Sequence, residues 1–300
     1  MSRLQYLYKF LTWNLKLYLL SDSIILNFTK IKARKDVVNL HYWKSNVYNK
    51  NVQFNLGDEL SLIVVKYMLD IKGMDINQRT WTTKHLYAIG SIILLGYQNA
   101  TVWGSGILHV DSGMDRWLHR YPMRKLDIRA VRGPYTRDRL IKLGYKCPAI
   151  YGDPAILMPL IYHPMVTKKY KYALIPHYTK YEQYNVKYGN QKDLIVISMI
   201  TNDYKSVLDM ICSAEIVISG SLHGIILSES YGVPTVFLRE SDVKDDFKYA
   251  DYYASTNRFE YRFARTVEEA LMMQAEMLPT NIEEMQKGLM DVFPYDIWEK

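Results

Sequence analysis

The sharpest local pattern in the sequence is the stretch Glu215–Leu238, EIVISGSLHGIILSESYGVPTVFL. Its first residues, Glu215–Ser219, form an apolar run that is typical of a buried strand. A Gly-Ser turn follows, and residues 221–231 are predicted to form a helix. The apolar run Val233–Leu238 then predicts a second strand. A strand, a helix and another strand in this order are typical of a unit of a parallel sheet.

The same alternation fills most of the chain, in two series separated by residues 158–164. In the first series we predict strands at Val37–Trp43, Leu86–Leu95, Thr101–Trp103 and Asp127–Val131, and helices at 58–69 and Pro134–Leu143. In the second, strands at Lys171–Ile175 and Leu194–Met199 and a helix at Tyr204–Cys212 precede the stretch quoted above. This order predicts an α/β fold of two Rossmann-like domains whose parallel sheets face a cleft, a GT-B-like architecture. Ligands bind beyond the carboxyl ends of such strands, so the cleft is the expected site.

The predicted domains are an N-terminal amphipathic and basic segment at 1–36, an α/β domain at 37–165, and a second α/β domain at 166–300 with a helical C-terminal tail. In the first segment apolar residues recur at helical spacing, and a basic run follows at residues 30–35. Charges interrupt the apolar face, which argues against a spanning helix. The segment either lies on the anionic inner face of the cell membrane or packs on the protein's own core.

The composition is that of an ordinary globular protein, with 49% hydrophobic and 23% charged residues. Its net charge of +7 is scattered along the chain, which indicates a basic surface or an anionic substrate and not a nucleic-acid binder. The two cysteines, Cys147 and Cys212, share no close spacing. A disulfide framework and a zinc site are therefore not expected, and a reducing, cytoplasmic location fits. The first residues do not resemble a signal peptide.

The turn at Gly220-Ser221 is the sharpest candidate site. Free backbone N–H groups at the start of the following helix form a ready anion site, and Ser219 or Ser221 could cap that helix. His223 would lie in the first turn, beside the bound anion, where an imidazole can act as a general acid or base. The alternative is a histidine that only hydrogen-bonds a neighbouring loop.

Arg132 is the second candidate, at the carboxyl end of the predicted strand over residues 127–131. A guanidinium there can grip a carboxylate or a phosphate with two hydrogen bonds. Arg129 lies three residues earlier, so in an extended strand it points to the opposite face. Arg137 and Arg139 are predicted to lie along the surface of the next helix.

Two aspartates, Asp58 and Asp153, precede predicted helices or turns. Each could simply cap its helix or turn, or could instead hold a sugar hydroxyl or remove its proton. His177 ends the first strand of the second series and should face the cleft. Gly104 belongs to a short glycine loop that lacks both the dinucleotide fingerprint and the Walker sequence.

Six motifs, taken together and in order, resemble the polysaccharide pyruvyl transferase family. They are NLGDEL at 55–60, VWGSGIL at 102–108, RAVRGPYTRDRL at 129–140, YGDPAIL at 151–157, YALIPHY at 172–178 and the stretch at 215–238. The resemblance covers about residues 37–255, and it depends on the order and spacing of the motifs, since each motif alone is modestly specific.

The resemblance implies an enzyme that moves the enolpyruvyl unit of phosphoenolpyruvate onto a saccharide and leaves a pyruvate ketal, with no metal and no cofactor beyond that donor. By resemblance, Arg132, Gly220, Ser221 and Leu222 bind the donor, and His223 transfers the proton. Many members carry Arg where this chain has Ser221, so a second cation for the anion must come from Arg129 or another residue of the cleft.

Asp58 is the predicted catalytic partner of His223 on the acceptor side, with His177 as its alternative. His177, Asp153, Gly57 and Gly104 are predicted to contact the acceptor or to support the site. The implied partners are phosphoenolpyruvate and a saccharide acceptor, of which a lipid-linked form at the inner membrane is one alternative. Two other functions remain open: a GT-B glycosyltransferase that uses a nucleotide sugar, because fold does not fix chemistry, and a non-catalytic glycan-binding member of the family.

Overall fold

The computed structural model describes residues 39–41, 55–76, 85–94, 99–108, 119–121, 124–239 and 246–299. The predicted N-terminal segment at 1–36 lies outside these residues. Within the described part of the chain, no helix is long and apolar enough to cross a membrane.

Four short parallel strands form the first sheet, in the order β1-β2-β3-β4. They are β1 (Asn39–His41), β2 (His85–Tyr87), β3 (Ala100–Trp103) and β4 (Leu126–Ala130). Two helices accompany them, α1 (Leu56–Ile71) and α2 (Pro134–Lys142). The strand predicted over Leu86–Leu95 ends at Tyr87, because the chain turns at Gly90, where φ is +111°. Ile92 and Ile93 are buried without joining the sheet, which explains why the apolar pattern continues past the strand.

Five parallel strands form the second sheet, in the order β6-β5-β7-β8-β9. They are β5 (Tyr170–Ile175), β6 (Leu194–Val196), β7 (Ala214–Ser219), β8 (Thr235–Leu238) and β9 (Phe263–Ala264). The later helices are α3 (Met158–Ile161), α4 (Tyr181–Tyr188), α5 (Tyr204–Cys212), α6 (Leu222–Ser230), α7 (Phe247–Ser255), α8 (Val267–Met272) and α9 (Ile282–Asp291). Short 3₁₀ turns lie at Pro154–Leu157, Tyr178–Lys180 and Tyr295–Ile297. The predicted α/β fold with parallel sheets is confirmed.

Both faces of the second sheet are covered, as the continuous apolar strands require. Alternate residues point to opposite faces of a strand. Ala173 and Val217 therefore pack into the large central core, whereas Leu174 and Ile218 pack into a separate core on the other face.

The segment that opens α1 contacts the chain that follows β6. The amide of Leu56, at the start of α1, donates to the carbonyl of Met199 at 2.8 Å, and Asn55 forms a β-bridge with Ile200. The loop that opens α1 is thereby joined to the chain that follows β6.

The C-terminal segment crosses back to the first sheet. The indole of Trp103 donates to the carbonyl of Leu289 at 2.8 Å, and the hydroxyl of Tyr295 donates to the carbonyl of Met68 at 2.9 Å. The ring of Phe293 packs edge-on against Trp103. These contacts link the tail to the first half of the chain, and the domain boundaries at 36 and 165 stay a prediction.

Candidate active site

The first turn of α6 carries backbone amides that no intrahelical hydrogen bond uses. Ser221 is the N-cap, and its hydroxyl accepts from the amide of Gly224 at 3.5 Å. The amide of Ser221 is itself held by the hydroxyl of Ser219 at 3.1 Å. The amides of Leu222 and His223 precede the first intrahelical hydrogen bond, so they are the donors that a helix N-terminus offers to a ligand.

The imidazole of His223 fits against the backbone of Gly57, in the first turn of α1. A Cβ atom at Gly57 would lie only 2.0 Å from Nδ1 of His223. Only glycine leaves room there, which gives Gly57 of the NLGDEL motif a physical reason. The side chain of His223 is 15% exposed, whereas its Nε2 atom is buried.

Asp153 approaches the same imidazole from the first half of the chain. Its Oδ2 atom lies 3.8 Å from Nε2 of His223, and both atoms are buried without a hydrogen-bond partner. Its Oδ1 atom accepts from the amide of Ala155 at 3.1 Å and so caps the 3₁₀ turn at 154–157. One carboxylate oxygen therefore caps, as a turn residue does, and the other faces the histidine.

Burial shifts the pKa of both His223 and Asp153. It lowers the pKa of His223 to about 3, with the charges of Lys248 and Arg132 adding to the effect. It also raises the pKa of Asp153 to about 6, although the amide of Ala155 and the charge of Arg132 oppose the rise. Without ligand, near neutral pH, the pair is thus a neutral imidazole beside a mostly ionised carboxylate.

Gly104 supports the position of Asp153. It has a φ of +82°, and a Cβ atom there would lie 2.4 Å from the ring of Pro154 and 2.8 Å from the carbonyl of Gly152. Its amide donates to the carbonyl of Ala130 at 2.9 Å. A glycine is therefore required for the chain at 152–154 to approach β3 closely.

Asp58 lies in the first turn of α1, next to Gly57. Its Oδ1 atom would be 3.5 Å from a Cβ atom placed on Gly90, which locates the carboxylate beside the loop after β2. Burial raises the pKa of Asp58 to about 7; the charges of Glu59 and Asp153 add to the rise and Lys248 opposes it. Asp58 populates both protonation states near neutrality, as a general acid or base requires.

The guanidinium of Arg132 is fully buried and makes three contacts within the protein. Nε donates to Oδ2 of Asp251 at 3.1 Å, Nη2 donates to the carbonyl of Ile107 at 2.8 Å, and Nη1 donates to the hydroxyl of Ser91 at 2.5 Å. These contacts tie the end of β4 to α7 and to the loops after β2 and β3. The donor-binding role of Arg132 stays a prediction beside this structural one.

Arg129 is likewise engaged elsewhere. Its guanidinium pairs with the carboxylates of Asp127 and Asp296 at 2.9 and 3.0 Å, and its side chain is a third exposed. The hydrogen bond to Asp127, followed by the charges of Asp127 and Asp296, raises the pKa of Arg129 above its usual value.

Lys248 is a site residue that the sequence motifs do not reveal. It is the second residue of α7 and is half-buried. Its charge acts on Asp58, His177 and His223, so it lies among the predicted site residues. Burial lowers the pKa of Lys248 to about 8, with Arg132 adding to the fall and Asp58 opposing it.

His177 lies at the carboxyl end of β5, as predicted, and opens the 3₁₀ turn at 178–180. Its Nδ1 atom is 2.9 Å from the hydroxyl of Thr179, and its ring packs against the ring of Tyr178. Burial, followed by the charges of Lys248 and Lys180, lowers its pKa. The exposed ring of Tyr178 extends the site towards solvent.

The structure brings the predicted residues together from both halves of the chain. The imidazole of His223 lies against Gly57 and beside Asp153, and Asp58 is next to Gly57 in the chain. The charge of Lys248 acts both on Asp58 and on His177. The described residues contain no group of three or more His, Cys, Asp or Glu side chains placed to hold a metal ion. The arrangement offers two amides and an ammonium for an anion, and titratable groups that can move protons beside it.

Two curated proteins resemble the chain over about three quarters of its length. An uncharacterized protein of Acanthamoeba polyphaga mimivirus is 26% identical over 231 residues, which cover 74% of this chain and 75% of that protein. The succinoglycan biosynthesis protein ExoV of Rhizobium meliloti (strain 1021) is 25% identical over 229 residues, which cover 74% of this chain and 66% of ExoV.

A solved structure and a family model complete the comparison. The crystal structure of a functionally uncharacterized protein from Klebsiella pneumoniae subsp. pneumoniae NTUH-K2044 superposes with a TM-score of 0.48 at 12% identity, covering 89% of this chain and 100% of that one. The model of the family described as polysaccharide pyruvyl transferase matches residues 6–242. The resemblance inferred from the motifs is confirmed, and the chain belongs to the polysaccharide pyruvyl transferase family.

Proposed function

We propose that the protein transfers the pyruvyl unit of phosphoenolpyruvate, as a ketal, to a sugar of a cell-surface polysaccharide or exopolysaccharide precursor. The observation that carries the proposal is the convergence of the family's motifs on one site, where His223 in the first turn of α6 lies beside Asp153 and against Gly57, the neighbour of Asp58 in the chain. The similarity to ExoV, which is named for succinoglycan biosynthesis, supports a polysaccharide acceptor.

The reaction needs two proton transfers. A proton is added to the methylene carbon of the donor while a sugar hydroxyl attacks the neighbouring carbon and loses its own proton. Phosphate then leaves, a second hydroxyl of the same sugar attacks that carbon, and its proton ends on the phosphate. Two hydroxyl protons are thus released, one to the new methyl group and one to the leaving phosphate.

His223 is suited to carry the first proton. The imidazole is neutral before the reaction, so it can accept the proton of the attacking hydroxyl. The carboxylate of Asp153 then stabilises the imidazolium, as the carboxylate of a catalytic triad does. The imidazolium in turn is the acid that delivers a proton to the methylene carbon.

Asp58 is suited to the second hydroxyl. Its pKa of about 7 lets it accept a proton from the sugar and return it to the departing phosphate. The donor carries a carboxylate and a phosphate of about −1.5 to −2 charge, which the amides at the start of α6 attract. His177 and Tyr178 lie at the outer side, where the saccharide enters.

We further propose that the two sheets form a GT-B-like pair of domains with this site in the cleft between them. The contact between Leu56 and Met199 and the bridge between Asn55 and Ile200 support that arrangement. The protein would work in the cytoplasm, where phosphoenolpyruvate is available, with residues 1–36 as its contact to the membrane surface.

A transfer assay tests the proposal. The protein is incubated with carbon-labelled phosphoenolpyruvate and saccharide precursors isolated from the source cell envelope. We expect an acid-labile label on the saccharide and one phosphate released per label. Incorporation of sugar from a nucleotide sugar in its place, or glycan binding without any consumption of phosphoenolpyruvate, would contradict it.

A further inference from the structure

Helix α7 is anchored by hydrogen bonds to both halves of the chain beside the site. The hydroxyl of Tyr249 donates to the carbonyl of Gly220 at 2.8 Å, one turn before His223. The carboxylate of Asp251 accepts from Arg132 at 3.1 Å and from the amide and hydroxyl of Thr136 at 2.9 and 2.6 Å. The helix is therefore held in one position, and Lys248 lies on it between Asp246 and these anchors.

These anchors do not engage the ammonium of Lys248. The guanidinium of Arg132 donates its hydrogen bonds to Asp251, Ser91 and Ile107. Among the described residues, no hydrogen bond or ion pair is formed by Nζ of Lys248, which lies 4.9 Å from the centre of the Tyr249 ring. A half-buried ammonium is costly to keep unpaired, so a site that holds one is built to receive an anion.

The surroundings of Lys248 specify what kind of anion fits. Its Nζ atom lies 4.9 Å from the centre of the Tyr249 ring, whose hydroxyl donates to the carbonyl of Gly220 just before the N-cap of α6. Its charge also acts on Asp58, His177 and His223. A ligand with a single anionic group would satisfy the helix alone. A ligand with two anionic groups on one carbon atom, such as phosphoenolpyruvate, can satisfy the helix with one and the ammonium with the other.

We propose that Lys248 is the residue that contacts the second anionic group of the donor, a role that rests on the proposed function. It supplies the cation that Ser221, an uncharged residue at the N-cap of α6, does not. The charge of Lys248 also acts on Asp58, so it links donor binding to the protonation of the acceptor-side acid.

Titration with phosphoenolpyruvate tests this role in three proteins: the wild type, Lys248→Met and Lys287→Met. Lys287 is an exposed residue of α9, and its substitution removes the same charge away from the site. We expect Lys248→Met to weaken binding about 10- to 100-fold, the range for loss of a hydrogen bond between charged groups. Lys287→Met should bind as the wild type does, and Lys248→Arg should recover part of the loss.

The outcomes separate this inference from the proposed function. Equal binding by Lys248→Met and the wild type would overturn the role of Lys248 alone. A wild type that does not bind phosphoenolpyruvate would overturn the proposed function and this role with it.

A measurement on the wild type covers the case in which Lys248→Met does not fold. Lysines are acetylated with and without phosphoenolpyruvate, and the modified residues are located by mass spectrometry. We expect the ligand to protect Lys248 and to leave Lys287 unchanged. Equal acetylation of Lys248 in both samples would contradict the contact.

Discussion

The Nε2 atom of His223 lies 3.8 Å from the Oδ2 atom of Asp153, and neither atom has a hydrogen-bond partner. This separation is too long for a hydrogen bond and short enough for a strong ion pair once the imidazole is protonated. At about 4 Å, two unit charges attract by about 4 kcal/mol at an effective dielectric constant of about 20. That attraction corresponds to about three pKa units and opposes the effect of burial on His223. The carboxylate of Asp153 can therefore stabilise a transient imidazolium on His223.

Replacing His223 by Gln should remove proton transfer and keep a hydrogen-bonding group of similar reach. We expect turnover to fall by about 100-fold or more, while the dissociation constant of phosphoenolpyruvate changes little. Steady-state kinetics and donor titration on the same preparation measure the two effects. Near-normal turnover would exclude the acid and base role, and lost donor binding with normal turnover at saturation would make His223 only a donor contact.

Gly57→Ala tests whether the imidazole must lie against α1. The new Cβ atom would be 2.0 Å from Nδ1 and 2.6 Å from Cγ of His223, so the ring has to move away. We expect turnover to fall nearly as far as in His223→Gln. Gly288→Ala is the matched control, because its Cβ atom would meet nothing closer than 3.6 Å and an alanine stabilises a helix interior by about 0.5–1 kcal/mol. Normal turnover in Gly57→Ala would show that the ring position is not needed.

Asp58→Asn should raise stability in a pH-dependent way. The pKa of Asp58 is raised from 3.8 to about 7, chiefly by burial. The folded chain then binds more protons than the unfolded one in this window, so the stability contributed by Asp58 is lost as the pH rises from about 4 to 7. At pH 8 the variant should melt at least about 2 °C above the wild type, the shift that roughly 1 kcal/mol produces. Below pH 4 the difference should vanish.

Asp193→Asn, at an exposed position before β6, is the control for that experiment. Its melting temperature should follow the wild type at every pH. A variant Asp58→Asn that melts with the wild type at pH 8 would contradict the burial of the charge. Because the residue is placed for proton transfer, the same variant should also lose turnover, a cost typical of functional groups.

Arg132→Lys separates the structural and donor-binding roles of Arg132. Lysine keeps the charge opposite Asp251 but loses the fork that reaches Ser91 and Ile107. We expect the free energy of unfolding to fall by about 1–3 kcal/mol and donor binding to weaken as well. Denaturant unfolding and titration with phosphoenolpyruvate give the two values. Unchanged donor affinity would remove Arg132 from the donor site and leave it as the link between β4 and α7.

The strand and helix order of the second half could be predicted because each element carries its own local pattern. The helix Tyr204–Cys212 has the predicted bounds, and β7 begins one residue before its prediction. The two-residue strand β9 was missed, because two residues are too few to show an alternation. Local patterns also placed His223 in the first turn of its helix.

The composition of the site was only partly predictable, because it depends on contacts between distant segments. Asp153 and His223 are far apart in the chain and become neighbours only in the folded protein. The sequence offers capping and a site role as alternatives for Asp153. In the structure Oδ1 caps the turn, and Oδ2 faces His223. Lys248 belongs to no motif, and its position follows from the anchoring of α7 by Tyr249 and Asp251.

Ligand-dependent melting of the wild-type protein tests whether its donor is phosphoenolpyruvate. A ligand that binds only the native state raises the melting temperature, and the stabilisation grows with the logarithm of its concentration over its dissociation constant. Phosphoenolpyruvate, a set of UDP-sugars and a set of CMP-sugars are compared at equal concentration and ionic strength. We expect a rise with phosphoenolpyruvate and none with the nucleotide sugars. A rise with a nucleotide sugar and none with phosphoenolpyruvate would contradict it.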